Sequence, residues 1–230
     1  MKKVILSTMC VLLTISFAIA QTTANVEQTG KSNTLNIGQT GNNQNAIVNQ
    51  EGNSGEINIT QVSYNDEIQN ANVDQKGHGN FATIHQIKYD ANVYEPDYAS
   101  IKQRGKMNSA SIVQNASGSD SGQKSEIDQH GKQNISKQVI DEGQLIHQYI
   151  KQHRFNNRAE QTSNGYNLSA SINQDGKYNE AYQVQNGAFN LADVIQSGTY
   201  NKSYQTQFGK GQASVTQSGN WNTSNILQQN

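Results

Sequence analysis

Five histidines, His78, His85, His130, His147 and His153, are the side chains most suited to hold a metal or move a proton near neutral pH. No two stand at a zinc-ligand spacing, and the single cysteine, Cys10, lies in an apolar N-terminal run far from them. Acids and aromatics gather elsewhere: Tyr64, Asp66, Glu67, Tyr89, Asp90, Tyr94, Glu95, Asp97, Tyr98 and Asp120, around the lone Pro96, have the chemistry of a weak calcium or ligand site. The glycine-rich aspartate nonapeptide of calcium β-rolls is absent, and insertion at a tolerant surface turn is the plainer reading. A third group is basic: Lys132, Lys137, Lys151, His153, Arg154 and Arg158 read as a solvated face, as a brake on premature stacking, or as a contact for an acidic partner. There is no G-x-S-x-G, no glycine-rich phosphate loop and no matched carboxylate pair. The expectation is therefore no catalytic residue, no metal, no cofactor and no enzyme.

What must position these residues is an unusual chain. Met1 to Ala20 has a Lys2-Lys3 head, an apolar run from Val4 to Ile19 and an Ala18-Ile19-Ala20 exit, which reads as a secretory signal peptide cleaved after Ala20. A short leader, residues 21–23, follows. No second apolar stretch is present, so no transmembrane segment is expected. Cleavage would remove Cys10 and two of 17 basic residues, leaving 15 against 18 acids and a net charge near −3. That balance gives no basic bias for nucleic acid. Few large aliphatics, 19 Gly and abundant Asn, Gln and Ser would by composition alone suggest disorder.

Periodicity decides otherwise. A Gln that precedes x-Gly recurs as Gln28, Gln50, Gln75, Gln103, Gln129, Gln152, Gln174, Gln196 and Gln217. Two places before each stands Val26, Val48, Val73, Ile101, Ile127, Ile150, Ile172, Val194 or Val215, β-branched every time. Four places before is Ala, except at Ser125 and Gln148; five places after is Asn33, Asn80, Asn108, Asn134, Asn157, Asn179, Asn201 or Asn222, with Gly55 the exception. A second anchor follows 11 residues on, or 12 in the fifth repeat: Gln39, Gln61, Gln86, Gln114, Asp141, Ser163, Gln185, Gln207 and Gln228.

Alternation at period two on either side of a Gly-x-x-Asn turn makes each repeat strand, turn, strand. One such unit cannot fold alone, because ordering a residue costs about 1–2 kcal/mol and each unit buries only a few small apolar groups. The units must stack. The fold expected is an all-β, cross-β solenoid over residues 24–230, with two strands per rung and about nine rungs. Stacking places like residues in columns, so each buried amide donates to one neighbour and accepts from the other; unpaired, each would cost about 1–3 kcal/mol. The column nine places after the first anchor groups Ile37, Ile59, Ile84 and Ile112, then Gln138, Gln161, Gln183 and Gln205, then Ile226. Tyr178, Tyr200 and Trp221 share an outer column, as do Tyr182 and Tyr204. Three long connections, near residues 63–70, 87–98 and 115–123, fall on one edge of the stack.

The recurring Q-x-G-x-x-N-x-[AS]-x-x-x-Q, as in Gln174-Asp-Gly176-Lys-Tyr-Asn179-Glu-Ala181-Tyr-Gln-Val-Gln185, resembles the curlin repeat of secreted curli fibre subunits. The resemblance runs from Ala24 to Gln228. It implies a functional amyloid subunit, exported through an outer-membrane pore with accessory factors and polymerised at the cell surface with itself and with other curli subunits, for adhesion and biofilm matrix. It carries the stacking role to the Gln and Asn columns named above, though not to Asp141, Ser163 or Gly55. The mid-chain insertions and weakened anchors resemble the looser repeats of a minor or nucleating subunit. A monomeric carbohydrate-binding solenoid is the alternative from another class.

Overall fold

The computed structural model describes residues 4–6, 12–17, 22–64, 68–89, 96–116 and 122–229. Its strands form two ten-stranded parallel sheets. Each repeat gives its first strand to one sheet and its second to the other, and every strand pairs with the strand two places on in the chain. The result is a β-solenoid of about nine turns without helix among the described residues. The two strands of a repeat are not hydrogen-bonded to each other as a hairpin. They face across a thin core, and all ladder bonds run along the stack.

Register follows the columns. In the first sheet Val26, Val48, Val73, Ile101, Ile127, Ile150, Ile172, Val194 and Val215 lie over one another. In the second, the four isoleucines from Ile37 to Ile112 lead into the four glutamines from Gln138 to Gln205 and end at Ile226. The fifth repeat departs from expectation. Gln114 registers with Ile140, not with Asp141, and Ile140 registers with Ser163, so the 11-residue spacing holds throughout. Asp141 is displaced to the outside beside Asn115, and the extra residue is taken up in a bulge before Gly143. Ile140 wins the inward place because it packs with Ile146 and Leu168 in a second small apolar cluster.

Two short strands, Val4–Leu6 and Leu12–Phe17, pair in parallel with the first complete rung, Thr23–Lys31 and Thr34–Thr40. Val4 registers with Val26 and Ile15 with Ile37, the same 22-residue step used downstream. The rest of the segment expected as a signal peptide lies outside the described residues.

The turn is dictated by stacking. At Gly30, Gly52, Gly77, Gly105, Gly131, Gly176 and Gly198 φ is positive, and an added Cβ would stand 1.6–2.0 Å from the carbonyl oxygen of the next rung's turn. Arg154 occupies this place in the sixth rung with φ 79°. Two residues further on, the backbone is left-handed whatever the side chain, at Ser32, Met107, Tyr178, Tyr200 and Trp221 among others. Such a conformation costs a bulky residue about 1 kcal/mol or more. It is held because the amide donates to the previous turn, as Tyr200 N–H does to the Lys177 carbonyl at 3.0 Å.

Three glycines therefore separate by context. Gly105→Ala should lower stability by about 3 kcal/mol or more, and Gly219→Ala, in the last rung, by about 1 kcal/mol. Gly38→Ala, where an added Cβ meets nothing within 4 Å, should be neutral or slightly stabilising. Denaturant midpoints of the three variants check the order.

Candidate functional site

The candidate site is the amide core itself. The first anchors form an unbroken ladder in which each Nε2 donates to the Oε1 of the next: Gln28 to Gln50, Gln50 to Gln75, Gln75 to Gln103, and so on to Gln196 and Gln217, at 2.5–2.9 Å. From Gln75 onward the same Nε2 also reaches a backbone carbonyl opposite, as Gln103 does to Phe81 and Gln174 to Arg158, both at 3.0 Å. Each amide thus ties its rung to the next and one sheet to the other.

The second anchors form a ladder in two pieces. Gln39, Gln61, Gln86 and Gln114 run in sequence; Ser163, Gln185, Gln207 and Gln228 resume it. Ile140 interrupts it, and Gln114 turns its donor to the Ser125 hydroxyl and the Tyr98 carbonyl instead. A third ladder covers the gap on a neighbouring track: Gln138, Gln161, Gln183 and Gln205 bond in succession at 2.8–2.9 Å. Sequence grouping revealed that column, yet it was not among the residues assigned an assembly role.

The asparagine column does different work. Asn33, Asn80, Asn108, Asn134, Asn157, Asn179 and Asn201 are nearly fully buried at the turn. Their Nδ2 groups bind turn carbonyls, as Asn157 does to His153 and Gly176, while Oδ1 accepts the backbone N–H of the next asparagine. They are caps on turn backbone first and side-chain ladder partners second. Asn222 Nδ2 donates to Asn201 Oδ1 at 2.9 Å. Gly55 replaces asparagine because an added Cβ would stand 2.6 Å from Gln50 Nε2, yet its N–H still reaches Asn33 Oδ1.

Across the core some glutamines meet small residues: Gln129 and Gln152 meet the Ser136 hydroxyl, and Gln114 meets that of Ser125. The sixth rung inverts the pair: Gln148 stands where alanine is usual, and its Nε2 donates to the hydroxyl of Ser163, which stands where glutamine is usual. Two irregularities that looked independent in the sequence are one exchange of volume.

At the opposite edge, Lys88 and Asp97 form an ion pair at 3.7 Å, each side chain 1% exposed, and Asp97 Oδ1 accepts the Gln123 N–H. Asp97, expected among the acids of a surface turn, belongs instead to the buried column of Gln44, Gln69 and Gln123. The described feet of the three insertions stand on adjacent rungs here, and Tyr64 stacks on Tyr89 with centroids 5.4 Å apart. Residues 65–67, 90–95 and 117–121 lie outside the described residues. An open cleft of about 390 Å3 nearby is lined by His85, Tyr89, Asn115, Asp141 and Glu142 among others. Among the described residues no group of three or more His, Cys, Asp and Glu is placed to hold a metal. Burial, followed by the Asp128 and Glu126 carboxylates, pushes the Tyr149 phenol up; burial also raises Tyr182, against the opposing pull of Arg158. Both stay protonated in neutral solution and act as rings.

Comparison with known families matches two segments of this stack, residues 30–62 and 165–198, to the curlin associated repeat. Those two segments are curlin repeats. That family is one of structural amyloid subunits, not of enzymes. No curated protein matches the chain.

Curlin geometry makes two expectations quantitative. Gln103→Ala, which strands a buried donor and acceptor, should cost about 2–4 kcal/mol, whereas Asn220→Ala at the exposed turn should cost under about 0.5 kcal/mol. Gln148→Ala and Ser163→Gln should each destabilise, one by a void and one by overpacking, while the double variant returns to within about 1 kcal/mol of the parent. Chemical denaturation of the five variants beside the parent measures both.

Proposed function

We propose that this chain is a secreted subunit that polymerises end to end into extracellular curli-type fibres, serving adhesion and the biofilm matrix. The observation that carries the reading is the unfinished state of the ladders. Gln28 Oε1 and Gln39 Oε1 are buried acceptors without a partner, at the first complete rung. Among the described residues, Gln217 and Gln228 are the last amides of the same ladders at the other end. A second copy set head to tail brings Gln217 over Gln28, Gln228 over Gln39, Val215 over Val26 and Ile226 over Ile37, continuing these four columns in kind. Such a heterologous contact does not close, so it yields a filament.

Removal of residues 1–20 as a secretory leader fits this scheme. Leu6 and Phe17 register with Gln28 and Gln39, and neither residue type can extend an amide ladder. Export through an outer-membrane pore, with accessory factors and other curli subunits as partners, completes the proposal.

Residues 21–230 diluted from denaturant should polymerise after a lag that preformed fibres abolish, and the product should diffract near ~4.7 and ~10 Å. Polymerisation without a lag would assign a nucleating role. A stable soluble β-rich monomer would remove the fibre reading. Gly219→Ala sharpens the test: the monomer tolerates the methyl, but in a head-to-tail contact it meets the next copy's turn carbonyl, so elongation should fall at least tenfold.

A further inference from the structure

Charge is distributed unevenly around the solenoid. At the edge formed by the Gly-x-x-Asn turns, the four positions from Gly30 to Asn33 and their equivalents through Gly219 to Asn222 contain no Asp or Glu in any rung. They contain Lys31, His78, Lys106, Lys132, Arg154 and Lys177. Successive rungs register His78 with Lys106, Lys106 with Lys132, Lys132 with Phe155 and Phe155 with Lys177. Five rungs span about 19 Å at ~4.8 Å per strand.

Off this edge, charges on or near neighbouring rungs are matched: Lys76 pairs with Glu51 at 3.1 Å, Lys202 with Glu180 at 3.3 Å and Lys124 with Glu126 at 3.3 Å. On the edge, Arg154 is paired with Asp175 of the flanking column at 2.7 Å. Lys31, Lys106, Lys132 and Lys177 are exposed and form no ion pair among the described residues; Lys132 lies 5.8 Å from the Phe155 ring centroid. A shallow cleft of about 280 Å3, lined by His130, Gly131, His153, Arg154 and Asp175, opens beside the middle of this stripe. The stripe's lysines, stacked without acid partners among the described residues, repel one another, at a cost that an external polyanion would relieve.

We infer that this edge is a binding surface for a linear acidic polysaccharide laid along the stack axis, with Lys106, Lys132 and Lys177 as its principal contacts. The rung repeat is close to the length of one sugar in an extended chain, so the carboxylates of a uronate polymer that face the stripe fall near multiples of the rung spacing, as do Lys106, Lys132 and Lys177. Nucleic acid fits less well. Phosphates of a duplex wind away from a straight stripe, and the aromatic column beside it has its ring faces occupied: Tyr178 stacks on Tyr200 at 4.8 Å and Tyr200 on Trp221 at 4.2 Å. Arg154, the guanidinium suited to bidentate phosphate binding, is engaged by Asp175.

The inference rests on the fold, not on fibre formation, and its test reads either monomer or polymer. Fluorescein-labelled oligogalacturonate is titrated with the chain at about 20 mM and about 150 mM salt, following anisotropy. Lys106→Gln/Lys132→Gln/Lys177→Gln should weaken binding at least tenfold at low salt and flatten the salt dependence, while the matching arginine triple keeps it. Lys124→Gln/Lys137→Gln/Lys210→Gln, an equal charge change off this edge, should alter it less than twofold. Equal losses in the two glutamine triples, or no binding by the parent, overturn the proposal. Tighter binding of a single-stranded oligonucleotide of equal charge overturns the polysaccharide assignment. Loss of fibre bundling without loss of oligogalacturonate binding separates copy-to-copy contact from the surface proposed here.

Discussion

Everything in this molecule depends on one constraint: a residue must be compatible with the residue one rung above and one rung below it. In a globular core a glutamine is a liability, since its amide needs three or four partners that an apolar neighbourhood lacks. In a parallel in-register stack the partner is another glutamine, supplied automatically at the spacing of the strands. Polar residues that would destabilise an ordinary domain become the cement of this one, and the apolar requirement shrinks to one unbroken β-branched column, a shorter run of Ile and Leu in the second sheet and a few small side chains. The same constraint removes freedom at the turns, where the next carbonyl stands where a Cβ would be.

Much of this was legible because a repeated mistake is improbable. Nine β-branched residues at one offset fix an inward position, and grouped Ile and Gln in another column anticipate the register found. What could not be read was which departures compensate one another. Asp141 looked like a degraded anchor because it is polar and one residue away; only the packing of Ile140 against Ile146 and Leu168 shows the apolar residue taking the place. Gln148 and Ser163 lie on opposite sheets, and a column-by-column reading treats them separately. The buried Lys88–Asp97 pair was hidden for a similar reason: both residues flank an insertion, where surface exposure is the natural expectation.

Continuity among the ladders explains how irregular repeats are accommodated. The second-anchor ladder stops at Ile140 in the rungs where a glutamine ladder begins two residues away. Every rung keeps buried amides, though not always on the same track. The fold requires that a buried amide have an amide neighbour along the stack, not that the track keep one position.

The direction of those amides has one more consequence. Backbone dipoles in a sheet alternate and nearly cancel. The carboxamides of Gln28 through Gln217 do not alternate: each donates toward the C-terminal rung, as do those of the Gln138 to Gln205 series. Their moments add with length, and each bond polarises the next. The asparagine amides oppose them, as Asn222 donates back to Asn201 and Asn157 to Asn134, so the axial polarity of the solenoid is set by the balance of two antiparallel amide systems.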